Sequence, residues 1–483
     1  MILNSFRFLI VLPVTVLLYI IVVGLCRNSR FSSLLSAALL TAISYGFFIY
    51  NQPTGAIFLF IITLLTYIFA ILIENNIRNG QRTRILLITA FAMIVLAPLL
   101  VFKYANFIAQ CFHHLLTFCH MPGYLRQEPV TFSFIIPLGI SFFTFQAIGY
   151  MWDVYRNKIT AERNFLYYIL FVGFFPQIAS GPISKASELL PQIKGKREIV
   201  WADITEGVKL MLAGFFLKAV VADRLATFVN PVYADYNNFS GATCFIASIF
   251  YSLQIYGDFA GYSLIAIGVG RLFGFKLINN FNRPYLSHSV TEFWKRWHIS
   301  LTRWLRDYVY IPLGGNRHGQ ARTYGNIMAT FFVSGLWHGA NFTFIVWGAI
   351  HGIIQCLERF FKLGDKPATR LISAFRIAVT FLIVNFAWIF FRMPSLKDAI
   401  AVIQRIITGA PGASLALTRS SLVLIAFATA ALIITEFINE YGHGFSLLRH
   451  RNYSVRIISV IALIFMILTV GVLDSGQFIY VNF

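Results

Sequence analysis

Long apolar segments recur along this chain and alternate with short polar stretches. A helix that crosses a lipid bilayer needs about 20 mostly apolar residues, because each residue adds about 1.5 Å of rise. One soluble core would not need so many segments of that length. The pattern therefore predicts an all-α, multi-pass membrane protein with spans at residues 8–25, 31–50, 56–73, 85–102, 131–151, 205–222, 327–347, 372–391, 421–437 and 457–472.

Two apolar stretches do not fit a simple crossing. Residues 107–119 are too few to span a bilayer, so we expect an interfacial or re-entrant helix there. Residues 165–182 contain Pro176 and Gly181 and lie between two basic loops, so we expect this stretch to enter and leave on one side. Irregular backbone at membrane depth persists where protein or a water-filled cavity covers it. This pattern predicts a cavity open to the cytoplasm.

Asp258 is an unusual charge, because it lies within the apolar stretch 245–275 between Gly257 and Gly261. A carboxylate at that depth must be paired or must face water. The alternation of basic and uncharged loops requires an odd number of crossings in this part of the chain. We therefore expect one tilted segment here, broken near Asp258.

Composition and charge support a membrane protein. Hydrophobic residues make up 58% of the chain and charged residues 12%, whereas soluble chains carry roughly twice that charged fraction. The net charge of +20 is explained by cytoplasmic loops and anionic lipid headgroups, without nucleic acid. The loops after the first and third spans are basic and predict an N-terminus outside the cytoplasm; their basic residues are Arg27, Arg30, Arg78, Arg82 and Arg84.

The longest polar interval, residues 276–322, is strongly basic and is predicted to be cytoplasmic. If residues 292–306 form one helix, a basic stripe lies opposite a face of Trp and Leu, with His298 at the edge of that face. Such a helix is typical of the membrane interface. Its cations are also candidates for holding an anionic donor, such as a phosphorylated carrier; they are Lys295, Arg296, Arg303 and Arg306.

His338 is an ionisable residue inside the predicted span 327–347. Such residues usually face the protein interior and mark a functional path, although a neighbouring helix can also satisfy a histidine. Asn341 lies three positions on, so we expect it to share a helix face with His338 and to orient the same substrate. Gly335 and Gly339 would allow another backbone or a ligand to approach closely.

Other catalytic classes lack a sequence anchor. His351 also lies in an apolar context, but at the helical period it points away from His338 and carries less weight. The sequence contains no GxxxxGK[ST] phosphate loop, no HExxH zinc pair and no GxSxG nucleophile motif. Neither a metal nor a bound cofactor is predicted.

Several motifs resemble the signature region of the membrane-bound O-acyltransferase family, in its bacterial alginate O-acetyltransferase-like branch. They are FWKRWHISL at 293–301, WLRDY at 304–308, YIPLGGN at 310–316 and GLWHGAN at 335–341. Shorter similar runs lie at 103–107, 137–142, 175–177, 181–183 and 478–480, so the resemblance spans nearly the whole chain. Ala260 departs from the branch, which usually has serine there.

The resemblance implies one transmembrane domain over residues 1–483, with helices and re-entrant elements around a central tunnel and a core at about 100–392. It implies that His338 is the catalytic histidine and His298 the second signature polar residue. We place Trp337, Asn341 and Asp258 at the substrate. The family moves an acyl group from a cytoplasmic thioester, such as acetyl-CoA, to a hydroxyl.

The same branch delivers the group to exported polymers with a periplasmic acetyltransferase partner. We therefore expect a bacterial inner-membrane protein with that partner and a polysaccharide acceptor such as an alginate-like polymer or peptidoglycan. A histidine in a dry passage can take a proton from an attacking hydroxyl, although His338 as acyl carrier stays open. The alternatives are D-alanyl transfer to teichoic acid and a polysaccharide or lipid transporter, although the paired broken helices typical of transporters are not evident.

Overall fold

Helices form nearly all of the described chain in this computed structural model. It describes residues 3, 6–26, 29, 31–76, 80–119, 131–133, 136–178, 180–196, 198–363, 369–414, 417–442, 447–472 and 479. Of the residues used above, Arg27, Arg30, Arg78, Phe478 and Tyr480 lie outside these ranges. Within them, the nearest approach to a sheet is an isolated bridge between Phe239 and Ala413. The all-α prediction is confirmed.

Twenty α-helices are present in the described ranges. The first eleven are α1 (Phe6–Leu25), α2 (Ser32–Asn51), α3 (Pro53–Asn75), α4 (Gln81–Leu99), α5 (Ala105–Phe118), α6 (Ile140–Tyr155), α7 (Phe165–Gly173), α8 (Phe175–Ile178), α9 (Ala186–Lys194), α10 (Trp201–Phe215) and α11 (Asp223–Ala234). The others are α12 (Gly241–Leu272), α13 (Val290–Arg296), α14 (Ile299–Leu305), α15 (Gln320–His338), α16 (Phe342–Phe360), α17 (Arg370–Arg392), α18 (Leu396–Thr408), α19 (Arg419–Tyr441) and α20 (Tyr453–Thr469). π-helical segments occur at Leu100–Tyr104, Phe216–Ala222 and Arg306–Tyr310.

Six of the ten predicted membrane spans are confirmed. Within the described ranges, six helices are long and apolar enough to cross a bilayer. They are Arg7–Leu25, Ser32–Asn51, Pro53–Asn75, Gln81–Phe118, Arg370–Arg392 and Arg419–Tyr441. The fourth joins α4 to α5 through a π-helical segment, so residues 107–118 continue the preceding helix, and their place at the membrane interface stays a prediction. A π segment adds a residue to one turn without ending the helix.

The predicted span at 131–151 is wrong in its boundaries, because α6 begins only at Ile140. Pro137 has no backbone N–H to continue a helix, and Gly139 has a φ of +70°. A Cβ on Gly139 would lie 2.3 Å from the Ile178 carbonyl oxygen. A close backbone contact therefore fixes the start of α6.

The helix breaks within residues 165–178, as the sequence predicts, whereas entry and exit on one side of the membrane stays a prediction. The helix α7 ends at Gly173, and α8 follows after a single residue. Nine helical residues rise only about 13 Å, which is too short to cross a bilayer. Most side chains of both helices are buried, so surrounding protein covers the irregular backbone.

The helix α12 runs unbroken for 32 residues, so the predicted break near Asp258 is wrong. Asp258 pairs with Lys218, and the two charged atoms lie 2.7 Å apart. Lys218 pairs with Asp223 at the same distance, and all three residues are buried. Because the carboxylate has a cation beside it, the helix does not need to open to water.

Glycines bring α10 and α12 close enough for this ion cluster to form. A Cβ on Gly214 would lie 2.5 Å from the Gly261 carbonyl oxygen, and a Cβ on Gly261 would lie 2.7 Å from the Gly214 carbonyl oxygen. Two backbones at such a distance exclude side chains between them. Gly261 therefore serves helix packing, and the nearby Lys218 reaches Asp258 directly.

Lys218→Met is expected to destabilise the protein by about 3–5 kcal/mol, because it leaves two buried carboxylates without their cation. Adding Asp223→Asn and Asp258→Asn to the same chain should restore part of the loss. Thermal unfolding of the purified protein in detergent measures both effects. A Lys218→Met protein as stable as the wild type would contradict this account.

Candidate active site

His338 is the last residue of α15, and α16 begins four positions later at Phe342. The prediction of one span over 327–347 is therefore wrong: the chain turns at residues 339–341. Glycines allow the two helices to fold back on each other. A Cβ on Gly335 would lie 2.4 Å from the Phe344 carbonyl oxygen, and one on Gly348 would lie 2.4 Å from the Phe331 carbonyl oxygen. The predicted role of Gly335 in close backbone approach is confirmed.

Two side chains from another helix hold the end of α15. The last carbonyl groups of an α-helix have no partner within the helix. Lys103 donates to the Trp337 carbonyl oxygen, and Tyr104 donates to that of Leu336. A cation at a helix C-terminus also interacts favourably with the helix dipole. These contacts fix the backbone from which His338 projects.

His298 lies between α13 and α14 and has a φ of +42°. The prediction of one helix over 292–306 is therefore wrong, because this left-handed residue interrupts it. Asn280 stabilises the turn: its backbone carbonyl accepts from Ile299 N–H (2.9 Å), and its side-chain oxygen accepts from Ser300 N–H (3.2 Å). Such strain in a non-glycine residue persists where the surrounding structure imposes it, often at functional sites.

The two histidines meet at Trp337. The ring centroid of Trp337 lies 4.8 Å from that of His338 and 5.9 Å from that of His298. Phe142 and Phe145 contact the same indole at 5.4 and 5.5 Å. The fold therefore brings His338, His298 and Trp337 together, as the sequence predicts, in a buried aromatic environment.

A third buried histidine, His351, lies close to this pair. Trp347 contacts His338 at 4.9 Å and His351 at 5.1 Å between ring centroids. The sequence predicts one continuous helix through both residues, in which His351 would point away from His338. The turn at 339–341 reverses the chain and brings His351 back beside α15.

A large cavity of about 1140 Å³ is lined by two aromatic neighbours of His351, Trp294 and Phe331. Its walls come from α13, α14, α15, α16 and the start of α17. Among the described residues, five cations line it: Lys295, Arg306, Arg359, Lys362 and Arg376. Two lining carboxylates already have partners, since Glu358 accepts from the N–H groups of Val290 and Thr291, and Glu292 pairs with Arg296. The cavity therefore presents positive charge.

The four predicted cations separate in the folded protein. Lys295 and Arg306 line the cavity, whereas Arg296 pairs with Glu440 and Arg303 pairs with Glu188. Arg306 also donates to Asp307 at 2.8 Å. Burial alone would raise the pKa of Asp307, but the hydrogen bonds from Arg306 and Lys185 outweigh it and lower that pKa.

The predicted apolar face of this region does not lie in the membrane interface, because its members are buried in the protein; they are Trp294, Trp297, Leu301, Trp304 and Leu305. The break at His298 turns them inward. Together with the divided cations, this corrects the prediction of an interfacial helix.

Asn341 and Asp258 have structural partners. The Asn341 side chain accepts from Thr343 N–H at 3.0 Å, which caps α16, and donates to the Pro394 carbonyl oxygen at 2.6 Å. It shares no helix face with His338, because α15 has already ended. Asp258 is paired with Lys218, as its depth required, and accepts from Ile479 N–H at 2.9 Å. Their contact with substrate stays a prediction.

Sequence alone did not predict that Lys103 and Tyr104 belong to the site. The sequence feature that could have indicated them is a lysine next to the predicted span 85–102, within one of the motifs that carry the resemblance. Their partners are backbone carbonyl groups more than two hundred residues away. Local pattern carries no information about such a contact.

The fold and site define a helical membrane protein with buried histidines beside a basic cavity. Residues 161–396 match the membrane-bound O-acyltransferase (MBOAT) family. The chain is 34% identical to the peptidoglycan O-acetyltransferase of Helicobacter pylori over 379 residues, which is 73% of this chain and 70% of that protein. This chain belongs to the membrane-bound O-acyltransferase family.

Two relatives whose names give other substrates also match part of this chain. It is 41% identical to the probable alginate O-acetylase AlgI of Pseudomonas aeruginosa over 298 residues, covering 62% of this chain and 56% of that protein. It is 29% identical to the teichoic acid D-alanyltransferase of Bacillus subtilis over 271 residues, covering 53% of this chain and 68% of that protein. The chain thus matches little more than half the length of that alginate O-acetylase.

His298→Gly is expected to be more stable than His298→Ala by about 1 kcal/mol, because glycine adopts a positive φ without the cost of a Cβ. Thermal unfolding in detergent compares the two variants. Equal stabilities, or a more stable alanine variant, would show that the left-handed conformation at this position imposes no strain.

Proposed function

We propose that this protein is an O-acetyltransferase that passes acetyl groups from a cytoplasmic thioester to an exported polysaccharide, with His338 as the general base. The observation that carries the proposal is the meeting of His298 and His338 at Trp337, beside a basic cavity, in a chain of this family. The names of the relatives support acetyl transfer to an alginate-like polymer or peptidoglycan.

The position of the cavity supports a donor from the cytoplasm. Its walls include the start of α15, the end of α16 and part of the basic interval 276–322, which the positive-inside rule assigns to the cytoplasm. His338 is at the opposite end of α15, about 27 Å along the helix from Gln320. Donor and acceptor would then approach from opposite sides of the inner membrane, with the N-terminus in the periplasm.

The reaction follows from the chemistry of an imidazole in a dry site. His338 takes the proton of the acceptor hydroxyl as its oxygen attacks the thioester carbonyl carbon. The carbon–sulfur bond then breaks, and the thiolate recovers the proton. His298, which contacts the same indole as His338, would donate a hydrogen bond to the oxyanion that develops, and the buried surroundings would strengthen that bond. A periplasmic partner would complete delivery to the polymer.

Acetyl transfer is favoured over the alternatives. The D-alanyltransferase of Bacillus subtilis matches with lower identity and over less of the chain than the peptidoglycan acetyltransferase. The relatives named above are all transferases, which argues against a transporter. Comparing acetyl-CoA with carrier-bound D-alanine as donors for the purified protein separates the two transferase activities.

His338→Ala is expected to lower polymer acetylation at least about 100-fold, because a positioned general base supplies roughly that factor or more. The measurement is acetyl release from the polymer of cells with equal amounts of inserted protein. His318→Ala, at an exposed histidine, is the matched control and should keep normal activity. Normal acetylation by the His338→Ala protein would reject the catalytic assignment.

Lys295→Glu is expected to raise the KM for acetyl-CoA about five- to tenfold with a smaller change in kcat, because it reverses a charge at the donor cavity. The effect should shrink in high salt. Lys196→Glu, at an exposed lysine outside the cavity lining, is the control. An unchanged KM in low salt would argue against donor binding in this cavity.

A further inference from the structure

His351 is a fully buried histidine in the middle of α16, surrounded by aromatic rings. Ring centroids of Phe293, Trp294, Phe331 and Trp347 lie 6.2, 5.3, 6.1 and 5.1 Å from that of His351. Packing alone does not explain an imidazole at this position. A phenylalanine would fill the same space without burying polar atoms.

Neither ring nitrogen of His351 has a hydrogen-bond partner among the residues that the structure describes. Each buried polar group left unpaired costs about 1–3 kcal/mol, so such groups are rare in native proteins. Ser334 Oγ and Trp347 Nε1 are unpartnered in the same way. A polar molecule that entered this part of the protein would satisfy the two ring nitrogens of His351.

The position of His351 connects the cavity to the catalytic histidine. Trp347, His351, Gln355 and Glu358 follow one another along one face of α16. Gln355 and Glu358 line the cavity, whereas Trp347 contacts His338. His351 therefore lies where the polar wall of the cavity gives way to the aromatic surroundings of His338.

Two rings separate His351 from the cavity. Trp294 and Phe331 both line the cavity and both contact His351. They contact each other at 5.3 Å between centroids, which closes the wall in this conformation. A ligand that reached His351 would part these two side chains, and Phe331 lies on α15 two turns before His338.

We propose that His351 binds the amide-containing arm of the thioester donor and so positions the acyl group for His338. This inference rests on the proposed function. A neutral imidazole donates through one nitrogen and accepts through the other, which matches the N–H and C=O groups of an amide. A flexible arm of the pantetheine type carries amides along a narrow chain, and such a chain fits a passage between aromatic rings.

The test uses the full-length protein in lipid nanodiscs and the variants His351→Phe and His351→Gln. His351→Phe keeps a ring among the surrounding aromatic side chains but cannot form hydrogen bonds, whereas His351→Gln keeps a donor and an acceptor. Tyr168→Phe, which removes a buried hydroxyl elsewhere in the fold, is the control for losing a polar atom. Calorimetric binding of CoA and the KM and kcat for acetyl-CoA are measured for each.

We expect His351→Phe to weaken CoA binding and to raise the KM for acetyl-CoA about tenfold, because one or two hydrogen bonds to the donor are lost. His351→Gln should recover part of the loss, and Tyr168→Phe should match the wild type. A purely structural His351 predicts the reverse: the phenylalanine variant binds CoA normally and is at least as stable, which overturns the inference alone. A wild-type protein that does not bind CoA overturns the proposed donor as well.

Discussion

The fold-back of α16 on α15 is the contact on which the site depends. Gly335 and Gly348 lie against the backbone of the opposite helix, so neither position has room for a side chain. Lys103 and Tyr104 then hold the end of α15 by its carbonyl groups. Because His338 is the residue at which the helix stops, its imidazole projects from a fixed backbone towards Trp337 and Trp347.

Buried ionisable groups in this protein have two kinds of surroundings. Asp258 and Asp223 share Lys218 between tightly packed helices, so that charge is neutralised inside the protein and the helices remain intact. The histidines are treated differently, since His298 and His351 have aromatic neighbours and no hydrogen-bond partner within the described part of the chain. The first arrangement stabilises the fold, whereas the second leaves polar atoms available to a ligand.

Prediction from sequence succeeded where a property is local. A run of about 20 apolar residues specifies a span whatever surrounds it, which is why α1, α2, α3, α17 and α19 lie where expected. It failed where the chain changes direction within a short motif. At His298 and at residues 339–341 the local pattern is compatible with a continuing helix, and contacts with Asn280 and Phe344 decide that it ends.

The sequence by itself determined the membrane class, most of the spans, the family resemblance and the choice of His338 and His298 as candidate residues, because these follow from composition and from motifs within a few residues of each other. Only the tertiary structure decided that His338 ends its helix, that the basic residues divide between a cavity and ion pairs, and that His351 lies between that cavity and His338. These features depend on which helices pack together, and residues far apart in the chain make the contacts that determine it.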